Sequence, residues 1–447
     1  MRVLVSIVCG ALLATNAQAQ VLDARRLGMG GVATSDNGSS HTANVAFRAV
    51  PKGTTWGSIP LPIGVVQYFK DPPTFDPQDP NFNVFQILDL AANPPMTWAL
   101  SKPDAVSGDI SIFVAKDSLQ VDLADVKKAI PQESVKYGGV FHLFGIGKQF
   151  GSFFVQFNPL VHVRHEFNLS DQFRAALRNA VPFAPNTRYG LDDKGIAQAA
   201  LAYQAGVAVR AFHSATPAES ATADPRRSGT TALYVGAGPK YLMGLAYGEI
   251  ASNGGVTTAD TLFGSSNPVA VDLTGNTRSA AVGTKTGMGH GYGVDLGTVL
   301  FWKNFEVGLG VSDVGSRIHW STTRNLLSYD DSLNEFTSIK QAKGEGFWST
   351  IPYTATLNVA KRVGPSTFAV DVVKNELFTG IHAGAETWFG PLAVRAGTYR
   401  DSNDRWQFAG GAGYRLGGIG IDAALGTNQR NVEEARALEL CTSLTIY

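Results

Sequence analysis

The run Gly289-His290-Gly291-Tyr292-Gly293-Val294-Asp295-Leu296-Gly297-Thr298-Val299-Leu300-Phe301-Trp302, opened by Met288, decides the fold class. Met288, Tyr292, Val294, Leu296, Leu300 and Trp302 share one parity, while Gly289, Gly291, Gly293, Asp295 and Gly297 share the other. A turn at Lys303 and Asn304 follows. Phe305, Val307, Leu309 and Val311 then fall on one face, and Glu306, Gly308, Gly310 and Ser312 on the other. A continuous apolar face backed by glycines and acids predicts a hairpin between lipid and a wet or tightly packed lumen.

The surrounding chain names the membrane. Met1 to Ala19 combine Arg2, an apolar stretch from Val3 to Ala14 and the small-residue site Ala17-Gln18-Ala19, so residues 1–19 read as a secretory signal peptide. Cys9 goes with it, leaving Cys441 as the single cysteine of the mature chain, with neither a disulfide nor a metal cluster expected. The chain is 44% hydrophobic, yet nothing in it reaches the run of about 18 apolar residues that a spanning helix needs. A secreted chain that crosses lipid without helices must close a barrel, since hydrocarbon offers no partner to an open sheet edge. The expectation is an all-β, closed antiparallel transmembrane barrel in the outer membrane of a diderm bacterium. With 37 basic and 37 acidic residues, no electrostatic case exists for nucleic acid.

Candidate strands fall at about 54–68, 135–146, 149–166, 197–213, 229–248, 288–302, 305–320, 352–361, 366–373, 380–388, 391–400, 405–416, 418–427 and 438–447, about fourteen. Short turns near Gly147, Lys303, Gly364, Gly390 and Gly417, with a longer link from Ser214 to Ser228, mark the periplasmic rim; 70–134, 168–196, 249–287 and 321–351 are expected as long outer loops. Within them, Asn83 to Leu90 carries a helical hint, Ser170 or Asp171 is placed to cap a helix over Gln172 to Val181, and alternation around Ile112 and Val121 predicts a further hairpin that would bring the count to sixteen. If Gly390-Pro391 is a two-residue loop, Phe389 faces Leu392 on the lipid side and Glu386 faces Arg395 in the lumen as an ion pair. Trp388 shares the inward parity of Glu386, so that strand is expected to twist or to end before it. Asp295, Asp371 and Asp422 point inward by the same parity, and Trp302, Phe305, Trp406 and Tyr414 suit an interfacial girdle.

Two groups of residues carry a family likeness. Leu27-Gly28-Met29-Gly30-Gly31-Val32-Ala33, then Asp36, Asn37 and Ala43-Asn44-Val45-Ala46, resemble the N-terminal segment of the FadL-type outer-membrane transporter superfamily, which includes related secretion-accessory barrels; Val45 stands where those proteins carry proline. Gly291 to Gly297, Gly308 to Gly315, Ile381 to Glu386, Val394 to Gly397 and Gly410 to Gly413 resemble its paired strands. The resemblance implies three regions: the signal, a plug or hatch over residues 20–52 that includes Asn44, and the barrel from 53 to 447. It also implies a kinked third strand with a lateral gate, mapped here onto Phe154 and Pro159, and proline independently removes a ladder donor at that place.

Catalytic chemistry is not expected. His162 and His165 lie three apart on a strand and so point to opposite faces; His162 is expected to join Arg164 and Glu166 in the lumen. No spacing of serines with His290, His319 or His382 identifies a triad. Asp295, Asp371 and Asp422 are expected to solvate the lumen or pair with Arg395 and Arg415. The reading is a passive channel for hydrophobic or amphipathic, fatty-acid-like small molecules without a cofactor. Phe82, Phe85, Ile87, Leu88, Phe173 and Leu177 are its expected collecting surface. Expected partners are outer-membrane lipid, the hydrophobic ligand and the barrel-assembly machinery; the final strand serves the last, although Leu440, Leu444 and Ile446 run out of phase with Tyr447. The alternative is a non-transporting barrel that scaffolds a secretion or conjugation complex. A continuous apolar tunnel to a side opening near Pro159 separates the first from the second, which needs a sealed lumen.

Overall fold

In the computed structural model, described over residues 23–51, 57–61, 63, 96–99, 111–115, 118–122 and 134–446 with gaps at 215–224, 229, 261–268, 284–286, 331–334, 401–405 and 430–435, one antiparallel sheet closes on itself. Gly57 pairs with Ile446 and also with Ile146, so the first strand joins both the last and the second. Eighteen segments form the sheet. Four of its staves are each interrupted once. β1 (Gly57–Leu61) and β2 (Met96–Ala99) share the partner β20 (Arg436–Ile446). β5 (Val135–His142) and β6 (Gly145–Phe150) share β7 (Phe153–Leu169). β10 (Val269–Ala281) and β11 (Gly289–Trp302) share β9 (Ala232–Thr258), and β13 (Glu335–Thr350) and β14 (Thr354–Val363) share β12 (Phe305–Asp330). With β8 (Arg188–His213), β15 (Ser366–Lys374), β16 (Thr379–Phe389), β17 (Leu392–Arg400), β18 (Trp406–Leu416) and β19 (Ile419–Gln429), the barrel has fourteen staves. The hairpin of β3 (Ser111–Ala115) and β4 (Ser118–Asp122) forms a separate sheet, so the count does not rise to sixteen.

Closure removes the edges that lipid could not satisfy, and the alternation of the opening hairpin is realised face by face. Tyr292, Leu296 and Leu309 are exposed on the outer surface, whereas Asp295 and Glu306 are buried inside. Trp302, Trp406 and Tyr414 also face outward, and Trp302 stacks on Phe305. Turns with positive φ at Gly151, Lys303, Gly364, Gly390 and Gly417 define the short-turn rim. Gly147 is not among them. It lies inside β6, where a Cβ would meet the Val155 carbonyl at 2.3 Å and Arg48 at 2.9 Å, and the turn falls four residues later. The third stave accordingly starts at Phe153, not Gln149.

The other rim is uneven. β8, β9 and β12 run for 26, 27 and 26 residues, whereas β15 to β20 run for 9 to 11, so staves four to eight stand as a tall wall over a low one. Two expected outer loops, 249–287 and 321–351, are therefore largely strand. Above the bilayer both faces of a sheet meet water, so no apolar stripe marks it in the sequence. Between β7 and β8, Ser170 caps a helix, α2 (Asp171–Arg178), whose Phe173, Ala176 and Leu177 pack on Phe183 and Tyr189. The helical hint at 83–90 lies outside the described residues, as do the signal sequence, Tyr447, and Phe82, Phe85, Ile87 and Leu88.

Residues 23–50 lie within the lower lumen. Asp23 caps α1 (Ala24–Gly28), and Asn37 and Asn44 cap two 3-10 turns, Gly38–Thr42 and Val45–Ala49. The glycines on the inner face of the wall are the space this segment occupies. A Cβ at Gly310 would lie 1.9 Å from the Ala43 carbonyl, one at Gly297 2.1 Å from Asn44, and one at Gly384 2.1 Å from the Met29 carbonyl. That lumen face is packed, not wet.

Candidate functional site

Inward side chains from around the wall hold the N-terminal segment. The Arg25 guanidinium donates to both oxygens of Glu386 at 2.9 and 2.7 Å, and lies 3.3 Å from Asp36. Arg395, opposite Glu386 in the ladder, donates to it at 2.6 Å and reaches Asp422 at 2.7 Å. The expected register of the Gly390-Pro391 hairpin is thus the observed one. Trp388 points inward and donates to Glu386 at 2.8 Å, so the strand neither twists nor ends before it. Asp371 accepts from the Ala33 amide at 2.6 Å, Glu306 accepts from the amide and hydroxyl of Ser35 at 2.9 and 2.5 Å, and His382 Nδ1 bonds the Gly30 carbonyl at 2.7 Å. Asn44 donates to the Thr298 carbonyl at 2.9 Å, and Arg48 to the Gly147 carbonyl at 2.8 Å. Charge-assisted bonds of this kind contribute about 1.5–3 kcal/mol each in net terms, against a desolvation cost of several kcal/mol per buried ion. The segment is therefore held by many bonds, each individually reversible. Burial alone would raise the Asp36 carboxyl, but Arg25 and Arg226 outweigh it and hold the group well below the usual carboxylate range.

Above this layer, Lys240 of β9 bridges Asp295 of β11 at 2.7 Å and Asp313 of β12 at 2.6 Å; His142 approaches Asp313 at 3.1 Å, and Gln204 donates to Asp295 at 2.8 Å. Asp313 adopts φ +61, a left-handed conformation that costs a non-glycine residue about 1–3 kcal/mol. Asp313 and Ser312 both reach the interior through this irregularity, although they are sequence neighbours.

Higher still, the lumen turns apolar. Trp320 is wholly buried among Leu160, Leu242, Tyr247, Ile318 and Ile351, with its ring over Gly244 and Gly289 and its indole N–H donating to Ser349 at 2.8 Å. Across the top, Glu376 in the turn between β15 and β16 bonds Arg164 at 3.0 Å and His162 at 3.2 Å on β7. β7 is the third stave of fourteen and β15 and β16 the ninth and tenth, so this contact crosses the barrel. Burial pushes the Glu376 carboxyl up, but His162 and Arg164 prevail and lower it. Glu166 joins the cluster by bonding Arg164.

The residues singled out from sequence fall into different parts of this arrangement. Glu386, Arg395, Asp295 and Asn44 are brought into the lumen network. Phe154 points inward and packs on Val45 and Ala208. Pro159 does not kink the third strand: β7 runs unbroken from Phe153 to Leu169, and the break falls at residues 143–144 of the adjacent stave. The cause is the missing N–H. Pro159 offers that neighbour only its carbonyl, which accepts from Leu143 at 2.9 Å. His165 pairs with Asp193 at 2.5 Å, and His290 and His319 face outward. Arg25, Lys240, Asp313, Trp320 and Glu376 were not foreseen as site residues, although strand parity alone already places Lys240 and Trp320 inside.

The chain is distantly similar to several solved structures. The chain matches the TodX hydrocarbon channel. A TodX deltaS2S3 mutant, titled a monoaromatic hydrocarbon channel, is 10% identical over 73% of this chain and 83% of its own, with a TM-score of 0.33. The Pseudomonas putida toluene transporter TodX is 10% identical over 71% of this chain and 90% of its own, with a TM-score of 0.28. A mutant porin of Rh. blastica is 11% identical over 58% of this chain and 98% of its own, with a TM-score of 0.20. No model of a known protein family and no curated protein matches the sequence. The count of fourteen staves stands on the ladders themselves.

Proposed function

We propose that this protein is a gated outer-membrane channel of a diderm bacterium that takes up hydrophobic or amphipathic small molecules at the tall rim and releases them sideways beside Pro159. One observation carries the reading: in a barrel whose lower lumen is lined by acids and glycines, the upper lumen carries inward Leu160, Leu242, Ile318, Ile351 and Trp320. A channel for ions or sugars lines its interior with polar side chains, whereas an apolar lining suits an apolar solute, at roughly 0.8 kcal/mol per buried CH₂. Residues 20–52 act as the plug, and the bonds that hold it are ones a solute-linked movement can break and remake. The lateral exit is supported by the break at residues 143–144 of stave two, which faces Pro159.

The test is uptake of labelled oleate by cells with and without the protein, with Pro159→Val as the comparison. Wild-type protein raises uptake, and the valine variant, which restores a backbone donor facing the break at residues 143–144, lowers it while the barrel stays folded. Uptake equal to that of cells lacking the protein would sink the transport reading; undiminished uptake by a folded valine variant would sink the lateral exit alone. A second reading, a scaffold for a secretion or conjugation machine, is favoured by the tall wall of β8, β9 and β12, which offers a broad surface to a partner. It requires a protein partner that copurifies in stoichiometric amount.

A further inference from the structure

The outer surface of the tall wall carries a basic cluster that neither the lumen nor the plug explains. The ladders set two rows side by side. One runs Phe157, Tyr203, Tyr241, Tyr292, Arg317, Thr350, and the next runs Pro159, Leu201, Met243, His290, His319, Trp348. Tyr241, Tyr292 and Trp348 are 46%, 46% and 48% exposed, and Arg317, His290 and His319 are exposed beside them. The Arg317 guanidinium lies between two rings, 4.8 Å from Tyr292 and 4.9 Å from Trp348, and also bonds the Tyr292 hydroxyl. His290 bonds Tyr241 through Nδ1, and His319 meets the edge of Trp348 at 5.1 Å. Neither row contains a carboxylate. Three basic side chains thus face away from the protein with no acid opposite them.

Their height on the barrel says what faces them. Trp302 marks the short-turn rim, where Lys303 and Lys361 lie over Trp302 and Phe305 at 4.7 and 4.9 Å. Ten residues separate Trp302 from Tyr292 along β11. At about 3.4 Å per residue and a tilt of roughly 40°, they rise roughly 26 Å, the height of the apolar band on an outer-membrane barrel. Arg317 and its neighbours therefore sit where hydrocarbon gives way to lipid headgroups, at the rim of the long loops. A planar guanidinium held between two rings keeps its remaining N–H groups in fixed directions, the arrangement that recognises a phosphate by paired hydrogen bonds.

We infer that Tyr241, His290, Tyr292, Arg317, His319 and Trp348 form a binding site for a phosphate group of an outer-leaflet glycolipid, a phosphorylated, acylated diglucosamine. The phosphate is held by Arg317 and the histidine pair, and its acyl chains lie down the apolar face of β11 and β12. The site rests on the outer-membrane reading but not on transport, because it lies outside the lumen.

Native mass spectrometry of the full chain in detergent tests it with three added lipids: bisphosphorylated acyl-diglucosamine, the same glycolipid without phosphates, and phosphatidylglycerol. The bisphosphorylated lipid is expected to be retained about tenfold more than its dephosphorylated form, the scale of one charge-assisted paired contact. Arg317→Gln reduces retention to the dephosphorylated level, and Arg317→Lys, which keeps the charge but not the fork, restores part of it. Equal retention of the two glycolipids, or unchanged retention by Arg317→Gln, overturns the site; phosphatidylglycerol held as well as the glycolipid overturns the assignment of the lipid. Should Arg317→Gln fail to fold, the wild-type lipid comparison decides alone. Oleate uptake plays no part in this readout, so transport and the lipid site fail separately.

Discussion

Gly310 is the residue at which the wall and the N-terminal segment are fitted most tightly, because a Cβ there would meet the Ala43 carbonyl at 1.9 Å and Asn44 Cα at 2.8 Å, both backbone atoms. Gly310→Ala is expected to push the Ala43–Ala46 turn off the wall, to destabilise the protein by about 1–3 kcal/mol in denaturant titration, and to speed proteolysis within residues 23–50. Gly418→Ala, where nothing lies within 4 Å, is the control. Equal cleavage of the two would separate the segment from the wall contact. Asp36 makes a second prediction, through pH. Arg25 and Arg226 hold its carboxyl below its ordinary 3.8. A depressed acid contributes stability that is fully present above the unfolded value and is lost as pH falls through the folded one. Protection of residues 23–50 from hydrogen exchange should therefore hold at pH 6 and fall progressively below about pH 4. Asp36→Asn should show weaker protection at pH 6 and a shallower acid slope. An unchanged slope would assign the acid response to other carboxylates.

At the level of the element, what was legible in the sequence depends on what each face of a strand touches. Along β11, β12, β16 and β17 one face meets lipid and the other the packed lumen, so period two is written plainly and fixes even the partner of Glu386. Higher on β9, β10, β12 and β13 both faces meet water, and residues such as Asn253, Asn276 and Thr323 give no stripe, which is why the tall wall reads as loop. Asp313 of the Lys240 cluster was hidden for a different reason: with φ +61 it turns inward at an odd position of a strand whose other buried residues, from Glu306 to Trp320, are all at even ones. Arg25 lies in a segment with no period at all. The turn between β15 and β16 was equally silent, yet it spans the lumen. Since Arg164 is partly exposed, the Glu376 contact contributes about 0.2–1 kcal/mol, and Glu376→Gln should shift the turn toward an open position by up to about fivefold. Planar-bilayer recordings should show more frequent openings for the glutamine variant than for wild type. Equal event rates would make the turn a fixed roof instead of a gate.

At the scale of the whole molecule, the barrel and its plug are electrically complementary. Among the described residues, the wall contributes Glu306, Asp371, Glu386 and Asp422 to the lower lumen against the cations Arg362 and Arg395, while the segment brings Arg25, Arg26 and Arg48 against Asp23 and Asp36. Removing residues 23–50 strips out those cations together with the backbone donors at Ala33 and Ser35 that the carboxylates engage. Closure of the sheet does not depend on the segment, because the ladders run from stave to stave around the ring. The truncated chain should therefore still fold as a barrel, though a weaker one, and should conduct more than the full chain. An excess of carboxylates on the pore wall concentrates cations, as rings of acidic side chains do in other channels. Reversal potentials measured across a potassium chloride gradient should show a preference for potassium over chloride. That preference should fall when Glu306 and Asp371 are both changed to their amides in the truncated chain. A non-conducting truncated barrel would mean that the wall, and not the N-terminal segment, closes the lumen, and an anion-selective one would overturn the role of the wall carboxylates.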